Sequence, residues 1–132
     1  PARKHVPVLQ HWVGLKTAVI ELEYRQDVPA IFYIGCDAEK HVGRVVISPG
    51  SVHIAEDSVK PSHILARLPL QPVKGQWRHV RVEWTGDRMA VRIDGQELSA
   101  QHPFLATPKT RSWIAGGKSA EVRNLVIKGV PQ

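Results

Sequence analysis

Gly75 to Gln96 reads GQWRHVRVEWTGDRMAVRIDGQ, and this stretch decides the fold. Val80, Val82 and Trp84 alternate with His79, Arg81 and Glu83. Met89, Val91 and Ile93 alternate with Ala90, Arg92 and Asp94. Two period-2 runs joined by a Gly-Asp pair predict a β-hairpin. A turn at Gly86-Asp87 sets Trp84 against Met89, Val82 against Val91 and Val80 against Ile93, all on one side. A slip of one residue would turn that whole apolar set toward water, so pattern and turn support each other. Asp94-Gly95 then offers the positive φ needed to reverse the chain again. The opposite face sets His79 across from Asp94, Arg81 across from Arg92 and Glu83 across from Ala90. Two facing arginines are unfavourable unless something anionic lies beside them. Glu83 and Asp94 fill that role on a solvated face, and a polar ligand is the competing reading.

The same reading extends in both directions. Ala18, Ile20, Leu22 and Tyr24 share one face of a strand over Thr17 to Arg25. Ala30 to Cys36 is almost continuously apolar, as expected of a central strand covered on both faces. Pro49-Gly50 joins Arg44–Ser48 to Ser51–Glu56 in a second hairpin, and His63 to Leu68 is a short strand. Pro103 and Pro108 make Ser99 to Thr110 a loop, tacked down by Phe104 and Leu105. Ser112 to Ala115 is a brief strand. Ala120 to Lys128 closes the fold, with Val122, Leu125 and Ile127 inward and a phase shift at Arg123-Asn124 that predicts a β-bulge. Pro1 to Lys16 has mixed character, with Trp12 read as a core plug and His5 and His11 lacking helical spacing. No helical period exceeds two turns. The expectation is an all-β chain, an antiparallel β-sandwich of about nine strands.

At 132 residues the chain suits one domain, and 42% hydrophobic with 23% charged residues is ordinary for a globular domain. No apolar run reaches the ~20 residues of a membrane helix. The net charge of +6 raises the question of nucleic acid. The 18 Lys and Arg form no block and accompany no recognition motif, so specific nucleic-acid binding is not expected. Cys36, the single cysteine, has apolar neighbours and reads as a buried small hydrophobe. The chain begins Pro1-Ala2-Arg3 and carries no leader, so a piece of a longer protein is expected.

Trp77-x-x-Val80-x-Val82-x-Trp84, Gly86-Asp87, Val91-x-Ile93-Asp94-Gly95 and Val122-Arg123-Asn124-Leu125-x-Ile127 carry a resemblance. Over roughly Thr17 to Lys128 the chain resembles the concanavalin A-like lectin/glucanase superfamily. Within it, the bacterial 3-keto-disaccharide hydrolase-like domains look most similar. The resemblance implies a two-sheet jelly roll, an association with carbohydrate, and a secreted, periplasmic or envelope setting in a bacterium. Such domains usually open with an additional strand, so residues 1–132 are expected to form one domain lacking that strand. Its edge would then pair with a missing segment or a second copy of the chain.

Sugar sites combine aromatic platforms with planar polar groups. Tyr33, Trp77 and Trp113 are candidate platforms. His79, Arg81, Arg92 and Asp94 are candidate polar groups, and Trp77 stands out because it falls outside the phase of Val80 and Val82. The resulting carbohydrate-binding set is Tyr33, Trp77, His79, Arg81, Arg92 and Asp94. Enzymes of this fold present paired carboxylates on a Glu-x-Asp-x-x-Glu strand, and that motif is absent; Glu21 and Glu23 come nearest. His79 with Asp94 resembles a base and its orienting carboxylate, but no Ser or Cys lies in register. Seven histidines show no ligand spacing, so neither a metal nor another cofactor is expected. Three classes stand: a carbohydrate-binding module, a glycoside or 3-keto-disaccharide hydrolase-like enzyme, and a structural domain that holds partners by a sheet edge.

Overall fold

The computed structural model describes residues 8–11, 15–26, 30–71, 75–116 and 120–131. In chain order the strands are β1 (Val8–His11), β2 (Leu15–Arg25), β3 (Phe32–Asp37), β4 (His41–Ser48), β5 (Ser51–Glu56), β6 (His63–Pro69), β7 (Arg78–Thr85), β8 (Arg88–Ile93), β9 (Gln96–Gln101), β10 (Arg111–Ala115) and β11 (Glu121–Pro131). One turn of 3-10 helix, Pro103–Ala106, precedes β10. The strands form two antiparallel sheets, one ordered β1-β10-β3-β4-β5-β6 and the other β11-β2-β7-β8-β9. This is an antiparallel β-sandwich of jelly-roll type. No helix is long and apolar enough to cross a membrane among the described residues.

The β7–β8 hairpin has the register read from its sequence: Val80 faces Ile93, Val82 faces Val91, Trp84 faces Met89 and Arg81 faces Arg92. All six apolar members are fully buried. Gly86 and Gly95 take positive φ, and Asp94 joins Gly95 in the left-handed region, as a tight turn between twisted strands requires. Pro49-Gly50 joins β4 to β5 with Ser48 opposite Ser51.

The core lies between the sheets. Ala18, Ile20, Leu22 and Tyr24 from β2 meet Phe32, Ile34 and Cys36 from β3, with Val45, Ile47, Val52 and Ile54 beside them. Tyr24 stacks on Phe32 across the gap, ring centroids 4.0 Å apart and planes within 6°. Such an aromatic pair adds to what area burial alone contributes. β3 is covered on its outer face only toward its end, where the indole of Trp113 lies over Gly35, while Ile31, just before the strand, is 42% exposed rather than covered as expected. A Cβ on Gly35 would come within 2.7 Å of the Trp113 ring, so only glycine admits this approach. Cys36 is wholly buried, and burial pushes its thiol up to about 12.

Several expectations need correction. β1 arises from the N-terminal segment read as mixed, pairing with β10 at one sheet edge. β4 begins at His41, three residues before the Arg44 start read from the sequence, because Val42 is fully buried there. β9 occupies part of the stretch read as a loop; QELSAQ carries a weak apolar alternation because β9 is an edge strand. The bulge in β11 stands where the phase shift put it, between Arg123 and Val126, with Asn124 at φ 56°. Val122 is nonetheless 36% exposed rather than core. Trp12 and His5 lie outside the described residues.

Candidate functional site

The outer face of the five-stranded sheet holds five of the six residues expected to bind sugar, and its charges neutralise one another. Glu21 on β2 reaches both neighbours on β7: one oxygen lies 2.6 Å from His79 Nε2 and the other accepts from Arg81 Nη1 at 2.9 Å. The His79 contact leads in holding the Glu21 carboxyl below its usual range. Arg81 also donates to Glu83 at 2.7 Å, and Arg92 to Glu97 at 3.0 Å. A shallow hollow of about 180 Å³ lies among Arg81, Glu83, Ala90, Arg92 and Glu97. The facing arginines are thus flanked by carboxylates, Glu83 as expected but Glu21 and Glu97 in place of Asp94, which pairs with Arg78 instead.

His79 does not pair with Asp94 through its ring. The Asp94 carboxylate instead sits 2.6 Å from Arg78 Nε and accepts the His79 backbone N–H at 3.4 Å. The base-and-carboxylate arrangement is therefore not formed. Glu23 is engaged by Arg123 at 3.0 Å and Asn124 at 2.6 Å, separately from Glu21. Trp77 offers its ring to cations: Arg123 stands 3.9 Å and Arg25 5.0 Å from its centroid.

Tyr33 belongs to the other sheet. It points outward from β3, and the two outer faces of a sandwich look in opposite directions, so Tyr33 does not share a ligand with the remaining five. Its neighbour is Trp113 on β10, ring centroids 6.3 Å apart.

Around that pair lies a more concentrated constellation. Asp37 ends β3 on the outer face, where a register shift after Cys36 aligns it with His41. Its side chain is only 3% exposed. One carboxylate oxygen accepts from Trp113 Nε1 at 2.8 Å and lies 2.6 Å from His41 Nδ1; the other accepts from Arg111. Burial alone would push the Asp37 carboxyl up, but the bonds from His41, Arg111 and Trp113 outweigh it and hold the group below its ordinary range. One buried charge thereby orients an imidazole, a guanidinium and an indole. The imidazole and the guanidinium stay accessible, with the side chains of His41 and Arg111 41% and 30% exposed, while the indole is buried. The His41 and Trp113 rings are tilted 5.3 Å apart.

Beside this cluster runs a groove of about 680 Å³, lined by Asp37, Glu39, Lys40, His41, Asp57, Lys60, Pro61, Ser62 and Arg111. Its far wall is the β5–β6 loop, tied to β4 by Arg44, which donates to Ser62 Oγ at 2.7 Å. A groove this size with planar donors and acceptors on one wall suits a polar, multiply hydroxylated ligand. The sequence reading named Tyr33 and Trp113 but missed Asp37, His41 and Arg111. The available signal was period 2: Tyr33, Gly35 and Asp37 share a face of β3, and Arg111 shares one with Trp113.

A second cluster, Glu56 with His63 and His102, sits at the base of the same loop. It is the counterpart of the expectation that no metal site exists, since three residues with no local spacing converge in space.

No model of a known protein family matches this chain, and no curated protein sequence matches it. Among solved structures the chain is similar to lactose- and MES-liganded congerin II, at TM-score 0.70 and 7% identity over 92% of this chain and 99% of that one. CG-16, a homodimeric agglutinin from chicken liver, matches at TM-score 0.68 and 12% identity over 92% and 99%. The carbohydrate-binding module CBM66 from Bacillus subtilis matches at TM-score 0.68 and 11% identity over 88% and 77%. At these identities the likeness shows the fold alone, an antiparallel β-sandwich.

Proposed function

We propose that this domain is a carbohydrate-binding module whose sugar lies in the groove on the outer face of the six-stranded sheet. The observation that carries the reading is the buried Asp37 carboxylate, which is braced by the buried Trp113 indole and holds His41 and Arg111 on one groove wall. A guanidinium and an imidazole on the groove wall offer fixed donors to sugar hydroxyls. Similar folds in a carbohydrate-binding module and in lactose- and MES-liganded congerin II support the carbohydrate reading. The hairpin face, with Trp77, His79, Arg81, Arg92 and Asp94, is the second candidate. Its side chains are committed to one another and frame a hollow of only about 180 Å³, so it ranks behind. The bacterial secreted or envelope setting belongs to the same proposal and rests on the sequence resemblance.

A glycan array run beside a turnover assay on glycosides and 3-keto-glycosides tests it. Binding in the micromolar-to-millimolar range, lost in Arg111→Ala and His41→Ala but kept in Arg81→Ala and Arg92→Ala, is the expected result. The reverse pattern moves the site to the hairpin face. Product release would favour the hydrolase-like reading suggested by the narrower resemblance. Neither binding nor turnover would leave the structural reading.

A further inference from the structure

We propose that Glu56, His63 and His102 form a site for one zinc-class divalent ion, which clamps the ends of the β5–β6 loop. The three side chains come from three places. Glu56 ends β5, His63 begins β6 directly opposite it, and His102 follows β9 of the other sheet. The His102 backbone N–H donates to Asp87 O at 2.9 Å, which fixes the position from which its ring projects.

The Glu56 carboxylate is wholly buried. An ionised group in that position needs strong compensation. Oε1 has it, accepting the Ser58 backbone N–H at 2.7 Å. Oε2 is held less closely: His63 Nδ1 lies at a hydrogen-bond distance of 3.2 Å and His102 Nε2 at 3.5 Å, both longer than the usual contact of a charged donor with a carboxylate. Two imidazoles therefore converge on one buried anionic oxygen, their rings edge to face with centroids 5.6 Å apart. A cation set among the three atoms would satisfy all of them together.

The spacing fits. The three ligand atoms lie within 4.8 Å of one another. Tetrahedral zinc with bonds of about 2.0–2.2 Å places its ligands roughly 3.4 Å apart. Two separations are already near that value, and His63, with 53% of its side chain exposed, is free to close the third. The Ser58 N–H is the outer hydrogen bond that orients a ligating carboxylate. Two imidazoles and a carboxylate select zinc and its neighbours over calcium or magnesium, which require more oxygen ligands. A fourth position stays open toward the exposed side of His63.

His102 imposes one condition. Its Nδ1 accepts the Phe104 N–H at 3.1 Å, capping the 3-10 turn, so the neutral ring carries its proton on Nε2. The ion can take Nε2 only when that proton moves to Nδ1, and the capping bond is then released. Metal binding exchanges one neutral hydrogen bond for a metal–nitrogen bond, and Phe104 reports the exchange. The loop held between Glu56 and His63 supplies Asp57, Lys60, Pro61 and Ser62 to the groove, but the metal site requires no sugar.

The test is a titration of the chelator-treated protein with zinc chloride by isothermal calorimetry, with amide NMR and thermal melting in parallel. One equivalent should bind, the Phe104 amide should shift and the melting temperature should rise. His63→Ala and His102→Ala, both at partly exposed positions, should keep the fold and each weaken binding by about tenfold or more. Equimolar calcium or magnesium should not compete. Absence of saturable binding by the folded wild type overturns the proposal. So does binding that survives both histidine substitutions undiminished, which would place the ion on other histidines, or equal competition by calcium.

Discussion

Asp37→Asn tests the keystone of the candidate sugar site, because it keeps the shape of the side chain and removes its charge. In the native domain that carboxylate has three partners and almost no contact with water. The amide loses one acceptor oxygen and presents an NH2 group to at least one donor. Arg111 then loses the Asp37 charge. Removing one partner of a fully buried ion pair costs about 3–5 kcal/mol. Arg111 and His41 keep 30% and 41% of their side chains in water, which recovers part of that loss. The expected cost at neutral pH is therefore roughly 3 kcal/mol, the low end of that range. The sign of the pH dependence follows from the lowered Asp37 pKa. A carboxylate held lower in the folded state than in the unfolded one contributes stability that is present above the unfolded value, near ~4, and is lost as pH falls through the folded one. Asn cannot titrate, so the stability gap between wild type and variant should narrow below about pH 4. Urea unfolding followed by tryptophan fluorescence from pH 7 downward measures the gap. A neutral-pH loss under about 1 kcal/mol would show that solvent satisfies these donors and that Asp37 does not organise the site. A pH-independent gap would refute the assignment of the effect to charge.

Three further outcomes are expected. Trp84→Ala removes a fully buried indole and should cost ~3–5 kcal/mol in urea unfolding; a loss below about 1 kcal/mol would contradict the register of the hairpin. Gly35→Ala drives a methyl into the Trp113 ring and should destabilise by about 1–3 kcal/mol, with a shift in near-ultraviolet circular dichroism as the indole moves; an unchanged spectrum would refute the close approach. Cys36, with its thiol pushed up to about 12 and fully buried, should resist a thiol reagent in the native state and react at once in denaturant. Rapid native labelling would contradict that placement.

The hairpin, its register, the buried Cys36, the Pro49-Gly50 turn and the bulge near Asn124 were all legible in the sequence, because each depends on neighbours a few residues apart. Alternation names a face, and a Gly or Asp-Gly turn names a register. β9 escaped because an edge strand needs only a weak apolar alternation, and its partner β8, not its own composition, makes it a strand. The weak reading of residues 1–16 likewise concealed β1, which is defined by its pairing with β10. The functional clusters belong to tertiary structure altogether. Arg111 and Trp113 meet Asp37 across separations of 74 and 76 residues, because β10 inserts between β1 and β3. His102 reaches Glu56 because β6 and β9, at the edges of different sheets, pack against each other. Period 2 told which residues look outward but could not tell which sheet they look out from. That is why Tyr33 was grouped with a hairpin that faces away from it. The order of strands in a sandwich is set by long-range packing of two apolar faces, and no local pattern in the chain encodes it.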